Sequence, residues 1–265
     1  MLFDIHTTQA AMKTLYRLTG IPIAQWRKNQ IHEREFELLD DYVAMMVKDY
    51  GAFYLPQRYT ELDFVYFHIT TSANKCESIR KHGIVDLQKT YCCADSELRQ
   101  FLDAHDVRID LEEAILYHKR INYNIGYRSR PRDQRSIEYK CWSVGQRFYD
   151  DYSTCGFLSV LNKSAYGGQV HRRPEILSDL DALLATNLSL AWEMTHHPYE
   201  IVAKVNGHNI INLDFDVLSD TDKIMRYVVM AYDVALHGGS ENIVVLKRGI
   251  SISPKDILEI TSLSI

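Results

Sequence analysis

Gly238-Gly239-Ser240-Glu241-Asn242-Ile243-Val244-Val245 is the stretch of this 265-residue chain from which the fold is read. The two glycines mark a turn, and Ile243, Val244 and Val245 have the β-branched composition of a strand, expected over residues 241–246. One carboxylate, Glu241, stands between turn and strand. Two earlier stretches give it context. Phe64-Val65-Tyr66-Phe67-His68-Ile69-Thr70-Thr71 is a short aromatic and β-branched run that ends in His-x-Thr. Gly156-Phe157-Leu158-Ser159-Val160-Leu161-Asn162-Lys163-Ser164-Ala165-Tyr166 is a second apolar run, followed by a polar segment with a serine and a tyrosine.

Outward from these three, the pattern alternates between helix and strand. Leu39, Tyr42, Val43, Met46 and Val47 recur at three- and four-residue steps, which predicts a helix ending near Gly51. A shorter helix is expected around Ala10–Leu18, closed by Gly20 and Pro22. Residues 1–62 therefore read as a helical extension. Asp63–Ile69 reads as a strand, Ser72–His82 as a helix before Gly83, and residues 94–120 as a helical stretch broken near His105-Asp106. Glycine, proline and alternating arginines make Tyr123–Lys140 an expected exposed loop. Asp179–Met194 is expected to be helical, with Pro174 and Glu175 near its start. Tyr199–Val205 reads as a strand. Asp256–Ile265 reads as strand alone or helix turning to strand.

The bulk numbers set bounds. Hydrophobic residues at 46% support a core of one large domain, and 25% charged residues is ordinary for a soluble chain. A net charge of -5 supplies no global pull toward nucleic acid. Cys76, Cys92, Cys93, Cys141 and Cys155 form no CxxC pair and read as reduced thiols. The first residues lack the basic and apolar regions of a signal peptide, and no run approaches a membrane span, so a cytoplasmic location is expected. Neither a dinucleotide-binding glycine fingerprint nor a P-loop nor a nucleophile elbow is present. His196, His197 and His237 lack metal-ligand spacing, so no metal is expected.

Taken in order, the strand with His68-x-Thr70, the Gly156–Tyr166 segment and Glu241 resemble the three motifs of the ADP-ribosyltransferase superfamily. The match is to its diphtheria-toxin and poly(ADP-ribose) polymerase-like branch, divergent in detail. Lys163-Ser164-Ala165-Tyr166 is similar to that branch's Lys-Ser-Ala-Asn-Tyr with the asparagine missing. The resemblance implies an α+β catalytic domain over residues 63–265, with split β-sheets forming an NAD cleft and helices packed outside. It implies that His68 and the Ile69–Thr70 backbone hold NAD, that Ser164 bonds the nicotinamide amide and that Tyr166 stacks on its ring. Glu241 would stabilise the oxocarbenium-like ribose as nicotinamide leaves, a role that needs a carboxylate near developing positive charge. The second segment also resembles the Phe-x-Ser-Thr-Ser strand of the arginine-type branch, which would promote Ser159. That branch expects an arginine in place of His68 and a Glu-x-Glu, which Ser240-Glu241 does not supply.

The resemblance implies NAD as substrate and a macromolecular acceptor, protein or nucleic acid. NAD hydrolysis by the same site is the near alternative. Another is a non-catalytic nucleic-acid-binding module using residues 119–140, where Arg128, Arg130, Arg132 and Arg135 interleave with Tyr123 and Tyr127. The same arginines are also suited to a pyrophosphate or to a solvated loop. A related RNA 2′-phosphotransferase requires further His and Arg motifs that find no match here. His171, Arg172 and Arg173 follow Tyr166 closely enough to be candidate substrate contacts.

Overall fold

The computed structural model describes residues 1–51, 55–151, 153–160, 169–211, 217–239 and 241–264. Its described part is mixed α+β with predominantly antiparallel strand pairing. In chain order the first elements are β1 (Leu2–Phe3), α1 (Thr8–Thr19), α2 (Ile23–Asn29), α3 (Leu39–Tyr50), β2 (Asp63–Ser72), α4 (Glu77–His82), α5 (Leu87–Cys92) and α6 (Glu97–Ala104). A meander follows, β3 (Val107–Asp110), β4 (Ile115–His118) and β5 (Ile121–Asn124), then α7 (Ile137–Tyr149) and β6 (Cys155–Ser159). The chain ends through α8 (Glu175–Leu184), α9 (Leu188–Glu193), β7 (His197–Asn206), β8 (Ile210–Ile211), α10 (Asp220–His237), β9 (Asn242–Leu246) and β10 (Ile257–Ser262).

Two compact units result. The first comprises Met1–His68, the β6 segment from Cys155 and Val202–Lys247. Its strands run in the order β7-β2-β6-β9-β8, with β1 parallel beside β2. Phe64, Val65, Tyr66 and Phe67 are all buried, so β2 is covered on both faces, as a continuous apolar run requires. Phe3 of β1, Phe64 of β2 and Tyr227 of α10 form an aromatic triad with ring centroids 4.7 to 5.2 Å apart.

Helix α10 opens on Ser219, whose hydroxyl accepts the Asp222 N–H. It turns Ile224, Tyr227, Val228, Ala231, Tyr232 and Ala235 inward at helical spacing. It ends at Gly238 (φ 89°), with the Gly239 N–H reaching back to the Asp233 carbonyl at 3.1 Å. Helices α1 and α3 pack on α10, and Trp26 and Tyr42 meet Tyr232 at 5.0 and 5.6 Å. Residues 1–62 thus share one unit and one core with β2 and α10.

In the second unit, Ile69–Thr154, the segment ending at Ile201 and Arg248–Ile265, the β3-β4-β5 meander pairs Ile109 with Leu116 and Leu116 with Tyr123. Its buried face joins Tyr91, Leu102, Val144, Phe148, Leu180 and Trp192 in one core. Beside β7 lies β10, where the Leu263 N–H donates to the Pro198 carbonyl at 2.9 Å.

Several local expectations are corrected. The helix expected from Ser72 begins only at Glu77. Before it, the Ser72 hydroxyl accepts the Cys76 N–H, the Glu97 carboxylate accepts those of Ala73 and Asn74, and Lys75 and Cys76 adopt positive φ. These bonds satisfy the backbone without a helix. Residues 107–118 form strands instead of helix, because Val107, Ile109, Leu116 and His118 are buried at period two. The expected loop from Tyr123 shortens at both ends, to β5 and to α7, which Ser136 caps. The long helix before Met194 is two, divided at Ala185 (φ 53°).

Gly156 is the tightest fit in the first unit's sheet. A Cβ there would lie 2.4 Å from the Tyr66 ring and 2.6 Å from the Phe67 carbonyl oxygen. Gly156→Ala is expected to destabilise the protein by about 1–3 kcal/mol, the usual range for forcing a methyl into a packed core. Urea unfolding measures this, and a change below about 0.5 kcal/mol would mean that the Tyr66 ring moves aside at no cost.

Candidate functional site

The strand-forming, described parts of the three stretches, in β2, β6 and β9, lie on three adjacent strands. β6 is central, antiparallel to β2 on one side and to β9 on the other. Phe67 opposes Phe157 and their rings stack at 5.6 Å, which sets the register between β2 and β6. Cys155 opposes Val245 and Ser159 opposes Asn242, which sets it between β6 and β9.

His68 sits beside the start of β6. Its Nδ1 lies 2.9 Å from the Cys155 carbonyl oxygen, and the Tyr66 hydroxyl donates to the same oxygen at 2.7 Å. A carbonyl only accepts, so Nδ1 carries the hydrogen and Nε2 is left as an acceptor. Burial pushes the His68 pKa down, against the opposing pull of the Cys155 carbonyl. Burial likewise pushes the Tyr66 phenol well above its ordinary value, so it remains a donor. The imidazole is therefore a neutral, oriented hydrogen-bond acceptor at neutral pH.

At the other end of β6 the pairing with β9 shifts register between Phe157 and Ser159, a bulge of the kind that re-aims side chains. Phe157 and Leu158 are buried. Ser159 is buried too, and its hydroxyl accepts from the Asn242 side-chain amide at 2.7 Å. Glu241 precedes Asn242 and is exposed. Two positive-φ glycines, Gly238 and Gly239, deliver the chain from α10 to this point.

The structure therefore brings together β2 with His68, β6 with Ser159 and β9, which Glu241 directly precedes, and it pairs Ser159 with Asn242. His68 and Glu241 mark opposite ends of β6. They are separated along it by about 10–13 Å at the rise of a strand. Thr70 lies two residues beyond His68 on β2, within the second unit, and is half-buried. Its neighbour Thr71 is buried and accepts the Trp192 indole N–H at 2.8 Å. Ser164 and Tyr166 lie outside the described residues, as does Ser240. Asn242, Tyr66 and the Cys155 carbonyl were not among the sequence candidates. Asn242 carried one signal, its place directly after the glutamate.

Arg172 and Arg173 both reach Glu193, and Arg173 also reaches Ser178 and Gln169. These ion pairs tie the segment before α8 to the end of α9. Arg128, Arg130, Arg132 and Arg135 are exposed on the loop before α7, and no ion pair joins them to a carboxylate among the described residues. The Arg130 guanidinium instead lies over the rings of Tyr139 and Trp142, 5.4 and 5.5 Å from their centroids. No described helix is long and apolar enough to cross a membrane. No protein-family model, curated protein or solved structure matches this chain.

The depressed His68 pKa has a sign in stability. The unfolded histidine takes up a proton near pH 6.5, before the folded one does, so the unfolded state gains as pH falls. Stability from neutral His68 is complete above that value and is lost on descent toward the folded pKa. His118, His171 and His196 shift in the same direction through burial, so the slope is shared. His68→Asn keeps an N–H near the Nδ1 position and removes one titrating group. The fall in unfolding free energy from pH 7 to 5 is expected to be shallower in this variant, and equal slopes in denaturant titrations would refute the assignment.

Proposed function

We propose that the chain is an NAD-dependent ADP-ribosyltransferase that moves ADP-ribose to a macromolecular acceptor and releases nicotinamide. One observation carries the reading. His68 on β2, Ser159 on β6 and Asn242, which opens β9 directly after Glu241, lie on strands that neighbour one another in the order β2-β6-β9, the order expected of a site built from those three motifs. The reading brings with it split sheets bordering an NAD cleft.

Each residue then has a task. His68 Nε2 accepts a hydrogen bond from an adenosine ribose hydroxyl, which a neutral imidazole with its proton held on Nδ1 suits. By the resemblance, the β2 backbone around Thr70 pairs with the nicotinamide amide, Ser164 donates to its carbonyl and Tyr166 stacks on the ring. Ser159 and Asn242 hold the bulged end of β6 against β9, which steadies the start of the strand behind Glu241. Glu241 accepts a ribose hydroxyl and faces the sugar carbon. As the carbon–nitrogen glycosidic bond breaks, its electron pair leaves with nicotinamide, and the carboxylate stabilises the oxocarbenium-like sugar. An acceptor nucleophile then bonds the sugar carbon and gives up its proton. Water in that place makes the reaction hydrolysis.

Nicotinamide release from NAD, followed chromatographically with and without cell extract, tests the proposal. Glu241→Gln is expected to slow release about a hundred- to a thousand-fold, the scale of one charge-stabilising group. Dependence on extract identifies transfer, and extract-independent release identifies hydrolysis. A folded wild-type protein that neither binds nor cleaves NAD would remove the enzyme reading.

A second reading rests on the exposed arginines. Under it the 119–140 segment binds single-stranded nucleic acid, through phosphate contacts and the faces of Tyr123 and Tyr127. Replacing Arg128, Arg132 and Arg135 together by Ser is expected to weaken oligonucleotide binding and flatten its salt dependence. Unchanged binding across a salt titration would assign these arginines to solvent.

A further inference from the structure

The second unit holds a cluster that the proposed chemistry does not use. His82 is the last residue of α4, Cys93 follows α5, and Asp95 lies in the turn before α6. Their donor atoms all lie within 4.8 Å of one another. His82 Nε2 is 3.0 Å from Asp95 Oδ1, and the Cys93 thiol donates to that same oxygen at 2.8 Å. Lys81 takes the other carboxylate oxygen, Oδ2.

The backbone fixes where these side chains start. Just after His82, Ile84 and Ile252 exchange backbone hydrogen bonds of 3.0 and 2.8 Å. The Cys93–Ser96 turn is closed by the Ser96 N–H on the Cys93 carbonyl at 3.0 Å, and the Ser96 hydroxyl is anchored to the Thr90 carbonyl at 2.6 Å. Ser96 also caps α6. The three donors thus converge from a braced frame, and only their side-chain ends need to adjust.

We propose that His82, Cys93 and Asp95 form a binding site for one divalent metal ion of the zinc class, with a fourth position open to water. The donor set selects the ion: one imidazole nitrogen, one thiolate and one carboxylate suit a borderline-soft ion, whereas calcium and magnesium require all-oxygen shells. Ligands of one tetrahedral zinc ion sit about 3.3–3.8 Å apart, given bond lengths of 2.0–2.3 Å. The separations here reach that range through side-chain shifts of about 1 Å in partly exposed groups. The exchange balances. One ion enters and the thiol proton of Cys93 leaves to solvent; the hydrogen that His82 Nε2 now donates to Asp95 is exchanged through solvent to Nδ1, which leaves the Nε2 lone pair for the ion. No electron is transferred. Lys81 on Oδ2 becomes the outer partner that orients the ligating carboxylate, an arrangement common around metal ligands.

The test is titration of the full chain with Co²⁺, and separately Zn²⁺, under a phosphine reductant. Variants are Cys93→Ser, His82→Gln, Asp95→Asn, and Cys92→Ser, an adjacent exposed thiol outside the cluster. Expected are one equivalent of Co²⁺ bound, a thiolate-to-cobalt charge-transfer band, and a melting temperature that rises with Zn²⁺. Cys92→Ser keeps all three. Cys93→Ser loses the band, and His82→Gln and Asp95→Asn weaken binding at least about ten-fold, the smallest loss usual even for an outer partner. Failure to bind one saturable equivalent of either ion, or a band that survives Cys93→Ser, would overturn the site.

Discussion

The first unit's sheet depends on a missing side chain. Because Gly156 carries no Cβ, the Tyr66 ring crosses β6 and its hydroxyl reaches the Cys155 carbonyl. His68 reaches the same oxygen from the next inward position on β2. That carbonyl thus gains two side-chain donors at the end of the β2 pairing. The double capping fixes the orientation of the imidazole at the end of the β2 pairing. The tautomer follows from the bond, and the availability of Nε2 follows from the tautomer.

A second constraint acts at the other end of β6. The bulge between Phe157 and Ser159 puts the serine hydroxyl against Asn242, while Phe157 stays stacked on Phe67. A bulge changes local twist without disturbing the apolar pairs before it. The turn that precedes β9 needs two consecutive positive-φ residues, conditions that glycine meets without strain. Gly238 also closes α10. The placement of Glu241 is thereby tied to a helix whose aromatic residues, Tyr227 and Tyr232, are fixed in the core by Phe3, Phe64 and Trp26.

How much of this is legible in the chain varies with the range of the interactions. β2, β6 and β9 show in their composition, since buried strands are β-branched and aromatic wherever they pair. Helix α10 is equally plain in spacing, from Ser219 through Ala235, and yet no expectation above covers it. The segment from Ser72 to Cys76 is a different case. Its spacing is helical, and only the Glu97 carboxylate and Ser72 hydroxyl, which capture its N–H groups, decide against a helix. Residues 107–118 offered both periods, and pairing with β4 and β5 selected period two.

The site divides along the same line. His68 and Glu241 were marked by motif, whereas their relation depends on two strand registers that no local pattern encodes. The Ser159–Asn242 contact and the shared Cys155 carbonyl arise only when β6 lies between β2 and β9. Burial then separates the two candidate groups in character. It drives His68 toward neutrality, so this residue is suited to orient a hydroxyl and poorly suited to carry charge. Glu241 is exposed, so its charge stays solvated until something covers it. A carboxylate stabilises a cation far more strongly once water is excluded. If the ligand itself supplies that cover, the strength of Glu241 arises with binding. An exposed glutamate at a strand mouth is then compatible with a catalytic role, and its solvated ground state costs little in stability when the site stands open.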